Sequence, residues 1–437
     1  MTDITSTDAG AGRTQPLNKP SRVLAASLIG TTIEFYDFYI YATAAVLVFP
    51  VLFFPGTDPM TALLASFATF SIAFFARPFG AIVFGHFGDR IGRKATLVAA
   101  LLTMGISTVI IGLLPTYASI GVLAPLFLAL CRFGQGFGLG GEWGGAVLIA
   151  TENAPPGKRS WYGMFPQLGA PVGLFLASGV FFIILNFAPE GADPRVWIAE
   201  SGIWRAPFLA SALLIVIGLW VRLSITETPA FQKAIDRHDR VAVPLAEVFT
   251  KHKRSLFLGT FVALATFVLF YIGSAYLLSY NTRVIGMPLL EAIEIQLLGA
   301  IIFGLAIPVA GKLGDRYGRR AVLTVVTVLI ALFSFALAPL WSMGPQGIII
   351  FVIIGMALMG VTYGVIGAAL AAPFPTHVRY TGSSLTFNFA GIFGASLAPY
   401  AATYLQANYG LHAVGYYLCA AAVITLLCIW GSRKGEV

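Results

Sequence analysis

Long apolar runs alternate with short polar segments along almost the whole chain. A helix needs roughly 20 mostly apolar residues to cross a bilayer. Twelve such runs can be read, at approximately 23–53, 60–86, 95–114, 120–150, 161–187, 204–224, 257–281, 291–311, 321–341, 346–372, 382–406 and 411–431. The pattern predicts an all-α integral membrane protein. The first 22 residues are polar and lack a basic start and a small-residue cleavage site, so a disordered cytoplasmic tail is expected rather than a removed signal peptide. One long polar stretch, Ser224–Arg254, falls between the sixth and seventh runs. It divides the chain into a six-helix bundle at 23–224, a linker at 225–256, a second bundle at 257–431 and a tail at 432–437.

The two halves repeat each other. GHFGDRIGRKATL begins at Gly85 and GKLGDRYGRRAVL at Gly311, with 8 of 13 residues identical and each between the second and third run of its half. PPGKR, ending at Arg159, and PTHVR, ending at Arg379, follow the fourth run of each half. Two repeats of one orientation imply a pseudo-twofold axis along the membrane normal and a solute site between the halves near the midplane.

Charge sets the orientation. Of 27 Lys and Arg, 22 fall on the side of the N-terminus, whereas Arg195, Arg205 and Arg283 fall opposite. This imbalance predicts both termini in the cytoplasm. The net charge of +8 is confined to short inter-run clusters, so nucleic acid is not an expected partner; the bilayer is. The 3 cysteines lie in apolar runs, and no metal-ligand spacing or Walker loop occurs, so neither an enzyme nor a metal protein is expected.

The duplicated G-x-x-x-D-R-x-G-R-[KR] loop in a twelve-helix chain resembles the major facilitator superfamily. GTTIEFYDFYIY, RFGQGFGLGGEWGGA and the PPGKR turn are similar to its metabolite:proton symporter family, which carries α-ketoglutarate, shikimate, citrate, haloacids, proline or betaine. The resemblance implies a bacterial inner-membrane transporter, a monomer with protons as the coupling ion and no other cofactor. It also implies a cytoplasmic gate at Asp89, Arg90, Arg93, Asp315, Arg316 and Arg319, and proton coupling at Arg132.

The candidate chemistry is the charge inside the runs. An ionisable group at mid-membrane costs about 2.5–3.5 kcal/mol on insertion scales, so it is paired, faces a cavity, or both. Glu34 and Asp37 share a helix face, with Tyr41 a turn beyond. Arg77 and Arg132 lie at similar depth, and the four could neutralise one another. They could merely order the helices. They could also link a proton on the acid to a substrate carboxylate on an arginine, since both events change the same local charge. Asp37 is the favoured proton carrier, with Glu34 its partner and Glu142 a second pathway acid; neighbouring acids titrate as a pair.

In the fourth run Arg132, Gln135, Leu139, Glu142 and Trp143 share one face by helical periodicity, and the glycines between them suit close helix approach. Candidates to line the cavity are Arg77, Arg132, Tyr36, Tyr39, Tyr41, Gln135, Trp143 and Gln167 in the first half. In the second they are Tyr271, Ser274, Tyr276, Asn281, Tyr363 and Asn388. No Lys or Arg falls inside the second-half members, so the first half reads substrate charge. The expected substrate is a small anionic mono- or dicarboxylate; a zwitterionic solute such as proline or betaine, or passive facilitation, is the alternative. Gly169, Pro171 and Gly173, and Gly304 and Pro308, are candidate hinges.

Overall fold

The computed structural model describes residues 20–56, 58–91, 93–152, 154–223, 244–375 and 378–432, with the side chains at 20–23, 85–94, 149 and 244 excepted. Among them the chain is helical and has no strand, as a lipid-embedded backbone requires: every peptide group must be hydrogen-bonded within its own segment. The twelve helices of the sequence pattern are present. They are α1 (Pro20–Leu47), α2 (Pro59–Ile91), α3 (Arg93–Leu113), α4 (Leu123–Leu139 and Trp143–Glu152), α5 (Arg159–Gln167 and Gly169–Leu185) and α6 (Ala206–Leu223). Then come α7 (Lys253–Val262, Leu264–Tyr271, a π-helical turn Ile272–Tyr276, and Leu277–Arg283), α8 (Leu289–Tyr317), α9 (Arg319–Ser334) and α10 (Pro345–Ala371). The last are α11 (Arg379–Ala390, a π-helical turn Gly391–Ser396, and Ala398–Tyr409) and α12 (Leu411–Gly431). Among the described residues nine are long and apolar enough to span by length and composition alone. The other three are α1, which carries Glu34 and Asp37, the 16-residue α9, and α11, which is interrupted by its π-turn.

α1 packs on α5 and α6, α3 on α4 and α6, and α2 on α4. In the second half α8 packs on α10, α9 on α12, and α7 on α11 and α12. The principal contacts between the halves are α5 with α8 and α10, and α2 with α11.

Glycine makes the closest of these contacts possible. A Cβ on Gly136 would stand 2.1 Å from the Ala73 carbonyl oxygen, one on Gly140 1.9 Å from that of Arg77, and one on Gly80 1.8 Å from that of Phe137. α2 and α4 therefore touch backbone to backbone, as small residues permit in lipid, where no hydrophobic effect presses helices together. Gly169 and Gly173 play the same part between α5 and α1, with Thr31 and Phe35 inside contact distance. Gly318, in the duplicated loop, turns α8 into α9 at φ 85°, a conformation in which a side chain is strained. Its counterpart Gly92 lies outside the described residues.

Two sequence expectations need correction. α4 does not run through as one helix with one polar face: it breaks at Gly140–Glu142, where the backbone turns. Of the two hinge candidates, α5 is interrupted at Leu168, but α8 passes Gly304 and Pro308 without a break, because a proline in a membrane helix can be accommodated by local adjustment.

The backbone contact predicts a sharp contrast between two glycines. Gly136→Ala should cost roughly 1–3 kcal/mol or more by overpacking, read as a lower unfolding temperature in detergent. Gly179→Ala, whose Cβ would meet nothing within 4 Å, should be neutral or slightly stabilising.

Candidate functional site

Glu34 and Asp37 both point from α1 into the interior of the first half, toward α3 and α6. Ser211 donates to Asp37 Oδ1 at 2.5 Å and Thr108 donates to Oδ2 at 3.2 Å. Asp37 is thus met by hydroxyls. Glu34 is met by Arg222 of α6 at 3.3 Å, and the same guanidinium pairs with Glu142 at the break in α4 and donates to the Leu97 carbonyl of α3. One cation ties four helices together and serves two carboxylates.

This corrects the expected pairing of Glu34 and Asp37 with Arg77 and Arg132. By position, at the end of the sixth run, Arg222 is one of the 22 cations on the side of the N-terminus, yet it is buried. A signal for it exists: Arg222 follows Ser211 by eleven residues, close to three full turns, so both project from one face of α6.

Arg132 has no carboxylate partner among the described residues. Its guanidinium lies 4.1–4.8 Å from the ring centres of Tyr41, Phe38 and Phe70 and donates to Gln135 Oε1 at 3.0 Å. Such stacking on aromatic faces stabilises a desolvated cation by about 2 kcal/mol or more. Gln135 in turn donates to Thr108 Oγ1 at 2.7 Å. A continuous chain therefore runs from Asp37 through Thr108 and Gln135 to Arg132. The Thr108 hydroxyl has a second acceptor, the Met104 carbonyl at 3.0 Å, and can turn to it if Asp37 becomes a donor.

Arg77 faces the other way, into the cleft between the halves. It stacks 4.6 Å from both Phe38 and Phe74, makes no ion pair among the described residues, and its Nε has no hydrogen-bond partner. Around it the cleft is lined by Tyr39, Tyr271 and Tyr363 and by Phe35, Phe74, Phe267, Phe270, Phe303 and Phe387. The cavity measures about 10 Å³, space for a single water at most.

The cleft is closed at several levels. Near the duplicated loop Asp315 accepts the backbone N–H groups of Ser160 and Trp161, at 2.8 and 3.1 Å, and so caps the first turn of α5 from the opposite half. Of its loop companions, Arg316 stacks on its neighbour Tyr317 and Arg319 donates to the Ala368 carbonyl within its own half. The side chains of Asp89, Arg90 and Arg93 lie outside the described residues.

Deeper in, Trp143 stacks on Phe387 with centroids 3.7 Å apart and donates to Gln167, which donates across the cleft to the Tyr363 carbonyl at 3.0 Å. The break in α4 frees two carbonyls that α11 takes up: Asn388 donates to Gly140 O at 3.3 Å and the Tyr380 hydroxyl to Gly141 O. At the far end Arg283 donates to the Val46 carbonyl at 2.8 Å, and Arg195 to that of Thr282. Both faces are bridged, so the conformation is occluded.

Several candidate cavity residues point elsewhere. Tyr36 donates to the Pro207 carbonyl and Tyr41 to Thr69, both inside the first half, and Gln135 belongs to the hydrogen-bond chain. Tyr276 stacks on Trp341 inside the second half. Their helical positions fitted a cleft-facing stripe, but an α-helix surrounded by neighbours buries every face.

The family model of the Major Facilitator Superfamily matches residues 27–399 and 300–436. The chain is 55% identical to the inner membrane metabolite transport protein YhjE of Escherichia coli over 95% of this chain and 94% of the relative. It is 34% identical to a proline/betaine transporter of Salmonella typhimurium (97% and 84% covered) and 33% identical to a shikimate transporter of E. coli (95% and 94% covered). The partially occluded, inward-open xylose transporter XylE of E. coli superposes with TM-score 0.70 over 96% of this chain and 99% of that one, at 16% identity. That likeness is one of fold.

Because Arg222 serves two buried carboxylates, Arg222→Gln should destabilise the protein by about 3–5 kcal/mol, read by thermal unfolding. Adding Glu34→Gln and Glu142→Gln should recover much of the loss, since the uncompensated charges are then gone.

Proposed function

We propose that this chain, which belongs to the major facilitator superfamily and is a multi-pass membrane transporter of metabolites, imports a small organic acid together with protons by alternating access. The two six-helix bundles, 23–224 and 257–431, rock about the cleft, with both termini in the cytoplasm. The observation that carries the reading is Arg77. A permanent cation, buried to 4% exposure with an unpartnered donor, borders the cavity between the halves. A carboxylate is the ligand a guanidinium fork fits best. Tyr39, Tyr271 and Tyr363 supply hydroxyls from both halves, so an anion there gives the halves a reason to close.

Protons enter through the first half. Asp37 is the carrier, buried behind Ser211 and Thr108, and its charge is felt at Arg132 through Gln135. Protonating Asp37 removes a negative charge from the interior. That lets Thr108 turn to Met104 and loosens the hold of Gln135 on Arg132, whose aromatic bed includes Phe38 and Phe70. Phe38 also stacks on Arg77, so the proton site and the anion site share a wall. Glu34 and Glu142, with Arg222, form a second acidic cluster nearer the break in α4. Linkage of this kind is reciprocal: a bound anion raises proton affinity as much as the proton raises affinity for the anion.

A second reading has its own support. The cleft is rich in aromatic faces, which favour quaternary ammonium groups, and one relative is a proline/betaine transporter. A zwitterion would place its carboxylate on Arg77 and its cation on the rings.

Reconstituted vesicles with an imposed pH gradient test the proposal. Asp37→Asn should abolish accumulation of the transported acid while leaving counterflow exchange measurable, and undiminished accumulation would reduce Asp37 to a structural role. Arg77→Gln should lower uptake of an anion by about two orders of magnitude, and Arg77→Lys should restore little, because a point charge does not replace the fork.

A further inference from the structure

A second void adjoins the Arg77 cavity and shares Tyr39 and Tyr271 with it. Its lining is uncharged and includes Thr43 of α1, Ser274 of the α7 π-turn and Gln296 of α8. Thr43 and Gln296 are 3% and 5% exposed, and Thr43 Oγ1 and Gln296 Oε1 have no hydrogen-bond partner. Thr43 does not donate back to the carbonyl four residues earlier, as Thr260, Ser274 and Thr282 do. Ser274, having donated to Phe270, keeps its lone pairs for an acceptor role. A buried polar group left open in a folded protein calls for an explanation, and beside a void a ligand can supply it.

We infer that this void, about 10 Å³ in the closed cleft, is a hydroxyl-recognition subsite once the halves part to admit a ligand, and that the substrate is a hydroxylated monocarboxylate whose acid group meets Arg77 while its hydroxyls meet Thr43, Ser274 and Gln296. This rests on the assignment of Arg77 to a substrate carboxylate and narrows it. Among the residues lining the two voids Arg77 is the single cation, so a second carboxylate would be buried without a partner. Arg283, the nearest basic residue of α7, is already engaged with Val46. The polar tail instead meets Gln296, which can donate through its amide N–H₂ and accept through its oxygen, and two hydroxyls, which can do either. Tyr271 and Ser274 are three residues apart on α7 and so share a face of the helix, and Ser274 sits in a π-turn, a feature that recurs at functional sites.

The test is a binding panel on the purified protein by thermal shift and calorimetry. Lactate, gluconate and quinate are each paired with the acid of the same carbon skeleton lacking hydroxyls (propionate, hexanoate and cyclohexanecarboxylate), with succinate and glycine betaine added. The tightest ligand is expected to be a hydroxy acid, at least tenfold tighter than its deoxygenated partner and than succinate. Thr43→Val and Gln296→Met, near-isosteric changes, should each erase about tenfold of that preference and leave the deoxygenated acid unchanged. Arg77→Gln should weaken both members of a pair alike. A deoxygenated acid or succinate binding tightest, still dependent on Arg77, overturns the subsite and leaves the anion reading standing. Betaine binding tightest, without dependence on Arg77, or no ligand of the panel binding, overturns both.

Discussion

Everything in the first half turns on how six buried charges are shared out. Among the described residues the buried charged side chains are Glu34, Asp37, Arg77, Arg132, Glu142 and Arg222, three of each sign. They could cancel in pairs, and in a medium of low dielectric that would be the cheapest arrangement. The fold does not adopt it. Arg222 takes two carboxylates, Asp37 is left to two hydroxyls, and Arg77 and Arg132 are left to aromatic rings. Glu34, Asp37 and Glu142 share the bundle interior with Arg222, and of the three arginines Arg77 alone lines the cleft cavity. A protein that only needed its helices held together gains nothing from this separation, whereas a proton-coupled anion carrier has a use for both poles.

The separation depends on close backbone contact. α2 and α4 approach at Gly80, Gly136 and Gly140, and this sets Arg77 and Arg132 against one cluster of rings, with Phe38 stacked on both. The break at Gly140–Glu142 then does two things at once. It swings Glu142 toward Arg222, away from the face that Arg132 and Gln135 occupy, and it offers the carbonyls of Gly140 and Gly141 to Asn388 and Tyr380 of α11. A glycine run read as packing alone also carries part of the contact between the halves.

The helices were legible in the sequence because lipid leaves a chain few options: apolar runs of bilayer length must be helices, and a duplicated loop fixes their grouping. The acids of α1 were legible for the same reason, since a charge in such a run stands out. Their partners were not. Arg222 sits at the end of a run, where position along the chain cannot distinguish a loop cation from one whose long side chain reaches back into the bundle. Thr108 and Ser211 are ordinary residues in a membrane helix, and their role exists only because α3 and α6 pack against Asp37. Stripe reasoning failed for Tyr36, Tyr41 and Tyr276 because each helix touches neighbours on several sides, so a polar face does not say which neighbour it meets. Tyr39, Tyr271 and Tyr363 line the cleft cavity together with Arg77.

The occluded geometry bears on how the proposed coupling can be strict. Closure uses weak, distributed contacts: an aspartate on two backbone N–H groups at one end, arginines on carbonyls at the other, and one stacked Trp143–Phe387 pair between. None is a buried ion pair between the halves, so each can be broken at modest cost and either face can open. What must be costly is opening with the wrong cargo. On the proposed reading an empty carrier turns over with the unmatched Arg77 cation against low-dielectric walls, and an anion removes that penalty only when it is bound. In the proposed mechanism a proton on Asp37 alters, through Thr108 and Gln135, how the same rings hold Arg132. Strict coupling then needs no moving wire between the sites; it requires that the two charge states which leave the wall balanced be the ones that can close.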